Sequence, residues 1–280
     1  MNILITGANG FIGNNIVNLL SNDKNLNIYK GTRTTIDLYS QNSIENYLNE
    51  NRIDSIIHCA IEGGSRLKQD PIDIVYKNIL MYQNLMKFND KYKIFINLAS
   101  GAEYDRTRDI NDEKEYNLFD CVPTDYYGLS KNIISKLSMH YSKNVNLRIF
   151  NCFYHNEMTT RFIKNNINNY INNKPIIIHQ DRYMDFFYME DLIQVINYFL
   201  NASIQTYKDV NMSYMKKYKL SDIGNIINNL SSKKVDIIIE KPNMSLGYSG
   251  NGEMLNNLNL NFKGIDFGIN NCYNHFLNQL

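Results

Sequence analysis

The chain has 280 residues, enough to bury a substantial core as one large domain or as a main domain with a smaller lobe. Its 29 basic and 28 acidic residues nearly cancel, so its charge gives no reason to expect nucleic acid or an anionic membrane as partner. No apolar run is long enough to span a bilayer and no basic-then-apolar stretch opens the chain, so neither a transmembrane helix nor a signal peptide is expected.

The first predicted strand is the apolar run Asn2-Ile3-Leu4-Ile5. Thr6-Gly7-Ala8-Asn9-Gly10-Phe11-Ile12-Gly13 follows at once, and Asn14 to Leu20 takes up a helical apolar period. Strand, glycine turn and helix form the context in which a glycine motif signals dinucleotide binding. Gly7 is expected to turn the chain sharply out of the strand, Gly10 to let the backbone approach a pyrophosphate, and Gly13 to let the helix pack close to the strand. The helix N-terminus then offers unpaired N–H groups and partial positive charge to the phosphates. Asn9, Phe11 and Ile12 complete this cradle. The bland alternative is a plain βα turn that happens to hold three glycines.

Leu26 to Gly31 is the second predicted strand. At the end of this strand an acid favours a free ribose 2′-hydroxyl and an arginine favours a 2′-phosphate. The chain has Gly31-Thr32-Arg33 there and no acid, so NADP(H) is favoured, with NAD(H) possible. Otherwise Arg33 is a surface arginine on a loop. Asp37 and Leu38 are placed beside the adenine. Ile44 to Asn51 reads as a helix with Ser43 as N-cap.

Asp54 to Ala60 is a third buried strand, ending in the loop Glu62-Gly63-Gly64 at the ligand-binding edge. Its Ala60 is assigned to the cofactor and its His58 to the core. A helix from Pro71 to about Asn89 and a strand from Lys93 to Ala99, stopping at Ser100, come next. Leu118 to Thr124 is irregular, Tyr126 to Tyr141 helical, and Asn144 to Phe150 a strand ending in a polar loop from Asn151. This alternation predicts an α/β fold with a Rossmann-type doubly wound parallel sheet.

Beyond residue 150 the pattern loosens. Helices are expected over Thr160–Asn172, Met189–Leu200, Leu220–Leu230 and Asp266–Leu280, with strands at Ile176–Ile178, Lys208–Met212 and Val235–Glu240. Residues 1–150 are therefore assigned to dinucleotide binding, with the sheet extended by later segments. Residues 151–280 are assigned mainly to a small C-terminal substrate lobe that closes over the sheet edge.

Cys59, Cys121, Cys152 and Cys272 are widely and irregularly spaced, and the five histidines lack ligand spacing. Reduced thiols, a cytoplasmic setting and no metal site are expected.

Tyr127 and Lys131 lie four apart on one helical face. A tyrosine that exchanges protons near neutrality must lose roughly 3 units from a free pKa of about 10, and a nearby ammonium is a direct means. Alone, the pair is commonplace in a chain rich in both residues. Ser100, however, ends the fourth strand at the same sheet edge as the glycine turn, where its hydroxyl can hold a substrate oxygen beside the tyrosine. Its plain alternative is a turn or cap serine.

Jointly, the Thr6-Gly7-x-x-Gly10-x-x-Gly13 turn, Ser100 four residues before Tyr104, and Tyr127-x-x-x-Lys131 resemble the extended short-chain dehydrogenase/reductase family of the NAD-dependent epimerase/dehydratase type. The resemblance runs along nearly the whole chain. It takes in His58-Cys59-Ala60, Asn78, Leu147-Arg148-Ile149-Phe150-Asn151 and Asp185-Phe186-Phe187-Tyr188-Met189-Glu190-Asp191.

The resemblance implies an oxidoreductase acting on a nucleotide-activated sugar. Catalysis falls to Ser100, Tyr127 and Lys131, the last two also binding the cofactor, with Ser100, Asn151, Arg161 and Arg182 on the substrate. Dehydratases of the family have Thr-Asp-Glu where this chain has Ser100-Gly101-Ala102, so dehydration is not expected. Arg33 and the Ala60-Ile61-Glu62-Gly63-Gly64 segment are most similar to the GDP-L-fucose synthase-like 4-keto-sugar reductases. The cysteine and histidine that epimerise in that group are replaced by Ala102 and Arg161. The expectation is an NADP(H)-dependent reductase of a 4-keto deoxy sugar, in the making of surface polysaccharide sugars. The rivals are an NAD-dependent nucleotide-sugar 4-epimerase and, more remotely, a non-catalytic dinucleotide-binding regulatory protein. The family resemblance also implies a homodimer built on the helices Ile72 to Asn89 and Tyr126 to Tyr141.

Overall fold

The computed structural model describes residues 1–65, 68–202 and 207–278. Its strands are β1 (Asn2–Thr6), β2 (Asn27–Gly31), β3 (Ser55–His58), β4 (Ile94–Ser100), β5 (Ile110–Glu113), β6 (Asn144–Ile149), β7 (Cys152–Phe153), β8 (Ile176–Gln180), β9 (Phe187–Tyr188), β10 (Asp209–Met212), β11 (Ile237–Lys241) and β12 (Tyr248–Gly250). The α-helices are α1 (Phe11–Leu20), α2 (Gln41–Asn51), α3 (Asp73–Met86), α4 (Tyr126–Ser138), α5 (Phe162–Ile171), α6 (Met189–Asn201), α7 (Leu220–Asn228), α8 (Glu253–Asn256) and α9 (Gly264–Leu277).

Six strands form one parallel sheet in the order β2-β1-β3-β4-β6-β10. The chain runs outward from β1 to β2, then returns to β3 on the other side of β1. That reversal opens a crevice at the carboxyl ends of β1 and β3, the place where open α/β sheets bind ligands.

Strand period decides which core each residue joins. Ile3 and Ile5 pack with Ile16, Val17 and Leu20 of α1 and with Val195, Ile196 and Phe199 of α6. Leu4, between them, packs on the other face with Ile44 and Leu48 of α2, Leu85 of α3 and Ile134 of α4. Both faces are covered, which is why the strands read as continuous apolar runs. Each such fully buried aliphatic side chain contributes about 1.5–3 kcal/mol.

A third core holds the C-terminal elements together. Ile163, Ile167 and Tyr170 of α5, Ile176 and Ile178 of β8, Ile223 and Ile227 of α7, and Ile269 and Cys272 of α9 pack there. Between the two parts the chain goes back to the sheet, since α6 covers one face and β10 forms an edge.

One buried polar network ties the sheet to the turn after β4. Arg148 of β6 is fully buried, with Nε 2.8 Å from Glu103 Oε2 and Nη2 2.8 Å from Asp209 Oδ2 of β10. Its Nη1 also donates to Tyr104 Oη at 3.0 Å and Asn211 Oδ1 at 3.1 Å.

Some local expectations need correction. The cap of α2 is Ser40, whose hydroxyl accepts the Ser43 N–H, so the helix starts at Gln41. Ser43 Oγ instead accepts the Asp37 N–H at 3.0 Å, fixing the preceding loop. Helix α3 stops at Met86 and α4 at Ser138, each followed by turns. The last helix ends at Leu277, and positions 279–280 of the expected span lie outside the described residues. Two short parallel pairs, β5–β12 and β7–β9, add to the expected strands.

Candidate functional site

The glycine turn has the geometry its sequence predicts. Gly7 leaves β1 with φ of +65°, and a Cβ there would stand 2.7 Å from Ala60 N. A Cβ on Gly13 would stand 2.4 Å from the Gly7 carbonyl oxygen, so α1 packs on the turn only because that atom is missing. Gly10 caps α1 without any side-chain hydrogen bond. The first amides of the helix are therefore free of an internal partner, as an anion site requires. These features fit a dinucleotide pyrophosphate.

Three cavities adjoin along the sheet edge. The first, of about 610 Å³, is lined by Gly7, Asn9, Gly10, Arg33, Asp37, Leu38 and Ala60, with Tyr39 and Glu62. The second, of about 340 Å³, is lined by Gly7 and Gly10–Gly13, and by Ser100, Tyr127, Lys131, Asn151 and Arg161. The third, of about 640 Å³, shares Gly64, Asn151, Met158 and Arg161 with the second and adds Arg182. The crevice thus brings all the sequence-selected residues into one trough, from Arg33 at one end to Arg182 at the other.

Within the middle cavity, α4 starts at an Asp125 cap whose carboxylate accepts the Gly128 N–H at 2.8 Å. This cap sets Tyr127 and Lys131 on the face toward the sheet edge. Lys131 is buried and its Nζ donates to the Leu98 carbonyl at 2.6 Å. Burial pulls its pKa down to about 8, while Glu103 pulls the other way. The phenol of Tyr127 departs from expectation: burial raises its pKa, and the chief opposing influence is a hydrogen bond with Ser100, not Lys131. Ser100 also acts as a turn serine, its Oγ accepting the Ala102 N–H at 3.2 Å while Glu103 Oε1 accepts the Ser100 N–H at 2.9 Å. The turn-serine reading thus holds, and the same hydroxyl also meets the Tyr127 phenol.

His58 is a core residue, 2.9 Å from Thr6 Oγ1 through Nδ1, and burial takes its pKa down to about 3. All four cysteines are free thiols. Among the described residues no cluster of His, Cys, Asp and Glu could hold a metal, and no helix is long and apolar enough to cross a membrane.

On the substrate side, Asn151 donates through Nδ2 to the Asp185 carbonyl at 2.8 Å, which pins the loop after β6 to the segment before β9. Arg161 caps α5 and lies 3.9 Å from Glu157. Arg182 sits in the third cavity, and Met184, directly before Asp185, is buried. Arg33 is not free: its Nη2 is 2.6 Å from Glu62 Oε1.

Among the lining residues to which sequence reasoning assigns no role are Arg106, Glu157 and Gly64. Arg106 is in the middle cavity and forms a 2.9 Å ion pair with Asp125. Glu157 lines the same cavity, and burial pushes its carboxyl up to about 7 against the pull of Arg161. Gly64 abuts the Tyr127 ring. Only Gly64 left a trace in the sequence, as part of a glycine pair at a strand end.

Comparison with known proteins bears on the family and the fold. A family model described as the NAD dependent epimerase/dehydratase family matches residues 3–213. The chain is 23% identical over 274 residues to a trifunctional UDP-glucose 4,6-dehydratase/UDP-4-keto-6-deoxy-D-glucose 3,5-epimerase/UDP-4-keto-L-rhamnose-reductase of Arabidopsis thaliana. That match covers 85% of this chain and 41% of the plant protein, so the chain spans about two fifths of its length. Among solved structures, the chain is similar to a GDP-mannoheptose C4 reductase from Campylobacter jejuni with NADP bound, with TM-score 0.82, 16% identity and coverage of 99% of this chain and 98% of that one. It is also similar to a GDP-L-fucose synthetase from Naegleria fowleri bound to NADP, with TM-score 0.79, 14% identity and coverage of 99% and 93%. At such identities these two likenesses establish the fold.

Proposed function

Because the chain belongs to the NAD dependent epimerase/dehydratase family, we propose that it is an NADP(H)-dependent oxidoreductase that reduces a nucleotide-activated 4-keto deoxy sugar. The observation that carries this reading is one cavity holding Ser100, Tyr127 and Lys131 together with the Gly7–Gly13 cradle. Two solved structures of like fold carry NADP, which supports the cofactor assignment.

A dinucleotide held in the crevice would supply the hydride that reduces the carbonyl carbon. The chain's own residues do the rest. Gly7 to Gly13 hold the pyrophosphate, Arg33 meets the 2′-phosphate, and Asp37, Leu38 and Ala60 border the adenine end. Ser100 and Tyr127 hold the carbonyl oxygen. Tyr127, kept protonated by its raised pKa, gives its proton to the developing alkoxide as general acid. Lys131 sets positive charge beneath the site while its ammonium persists. Arg161 and Arg182 take the sugar-nucleotide diphosphate, for which a guanidinium fork is well shaped.

Dehydration has no support: Gly101 and Ala102 carry no acid or base, and Glu103 is buried and paired with Arg148. The 4-epimerase reading has one observation in its favour, the pairing of Arg33 with Glu62. The test is NADPH oxidation by the purified chain with GDP-, dTDP-, CDP- and UDP-linked 4-keto sugars. Turnover of one of them is expected. Turnover of none, with NAD arriving already bound, would overturn the reductase in favour of the epimerase.

A further inference from the structure

At the adenosine end of the crevice, the arginine that a 2′-phosphate would meet already has an anion. Glu62 Oε1 stands 2.6 Å from Arg33 Nη2, and Tyr39 Oη donates to the same oxygen at 3.4 Å. All three side chains belong to residues lining the same cavity. The arginine side chain is 86% exposed and the glutamate side chain 30%, so the arginine is the partner with room to move.

The root of Glu62 is fixed. Its N–H donates to Asn78 Oδ1 at 2.8 Å, and its carbonyl accepts from Asn78 Nδ2 at 3.1 Å. Asn78 is fully buried in α3, and its Nδ2 also donates to Ser130 Oγ on the helix that carries Tyr127 and Lys131. The carboxylate is thus part of the crevice wall.

We propose that Glu62 sets the cofactor preference: it occupies the place a 2′-phosphate would take on Arg33, and so holds the preference for NADPH over NADH to a small factor. The inference rests on the NADP(H) reading above. The chemistry follows from charge. A ribose 2′-hydroxyl can donate to a carboxylate, which only accepts. A 2′-phosphate must share or displace that carboxylate, and it meets a like charge within a few ångströms. The Arg33–Glu62 pair is solvent-exposed, so the penalty is modest and falls as salt rises.

The test is calorimetric binding of NADPH and NADH to the full chain and to three variants, Glu62→Gln, Glu62→Ala and Arg33→Ala. Wild type is expected to prefer NADPH by less than about tenfold. Both Glu62 variants should raise that ratio by about 1.5–5-fold, the scale of an exposed ion pair, and added salt should shrink the gain. Arg33→Ala should bring the ratio to about one or below. An unchanged or reduced ratio in both Glu62 variants would overturn the inference, as would a wild type that already prefers NADPH a hundredfold. These readouts need no sugar. An unchanged ratio in an enzyme that reduces a 4-keto sugar overturns only the role of Glu62. The predicted ratio change in a chain that reduces none overturns only the reductase reading.

Discussion

The ring of Tyr127 lies against the backbone of Gly64: a methyl group at Gly64 would stand 2.7 Å from Tyr127 Cε2, on a residue whose φ is +77°. The loop after β3 therefore sets where the phenol can point. Gly64→Ala should displace the ring and lower kcat by about 10²-fold, the usual cost of a misplacement near 1 Å. Dinucleotide affinity should change by no more than a few-fold, because the cradle is built from other residues. Steady-state kinetics and calorimetry together check this, and an unaltered kcat would refute it.

Lys131 gives a pH dependence with a defined sign. Burial depresses its pKa to about 8, so the ammonium is lost as pH rises through that value and kcat should fall there. For stability, the native pKa lies below the unfolded one of about 10.4. Below about pH 8 both states are protonated and the native state bears the full burial cost. Between these two values the unfolded chain binds more protons, so stability should rise with pH. Urea unfolding of wild type against Lys131→Met should show this rise in the difference between them. A flat difference would contradict the assignment.

Glu157 titrates in the same cavity. Burial raises its carboxyl to about 7, and Arg161 is 3.9 Å away. As pH rises through that value the carboxylate forms and engages Arg161, weakening its hold on a diphosphate. The KM for the nucleotide sugar should then climb from about pH 6 to pH 8 by a few-fold, on the scale of one partly exposed charge pair. In Glu157→Gln the climb should vanish. An identical KM profile in the variant would dismiss the role.

The Arg148 network is a structural demand of the sheet. Arg148→Met would leave Glu103 and Asp209 buried without their cation. Burial already pushes the Asp209 carboxyl up to about 7 with the guanidinium in place. Removing one partner of such a buried pair costs about 3–5 kcal/mol, and urea unfolding should show a loss of that size. A loss below about 1 kcal/mol would mean that water or protonation compensates.

Some of this site was legible in the sequence because short-range geometry fixes it. Gly7, Gly10 and Gly13 answer to one turn, and Tyr127 and Lys131 to one helical period. Ile3, Leu4 and Ile5 announce a strand buried on both faces. What escaped depends on distant segments. Glu62 meets Arg33 across 29 positions. Gly64 meets Tyr127 only once β3 and α4 are docked. Arg106 and Glu157 sit in loops with no period to read. The pairing of β5 with β12 joins Ile110 to Tyr248. The depression expected of Tyr127 failed for a related reason: the pair spacing is local, but Leu98, which receives the Lys131 ammonium, belongs to another element.

The central claim is that Tyr127 protonates the reduced carbonyl oxygen from this crevice. The most direct test is single-turnover oxidation of bound NADPH by a nucleotide-linked 4-keto sugar, in wild type and in Tyr127→Phe. The account predicts oxidation in wild type. In the variant it predicts a loss of about 10²-fold or more, the scale of a lost general acid, with NADPH affinity nearly unchanged. Near-normal oxidation in Tyr127→Phe would contradict it.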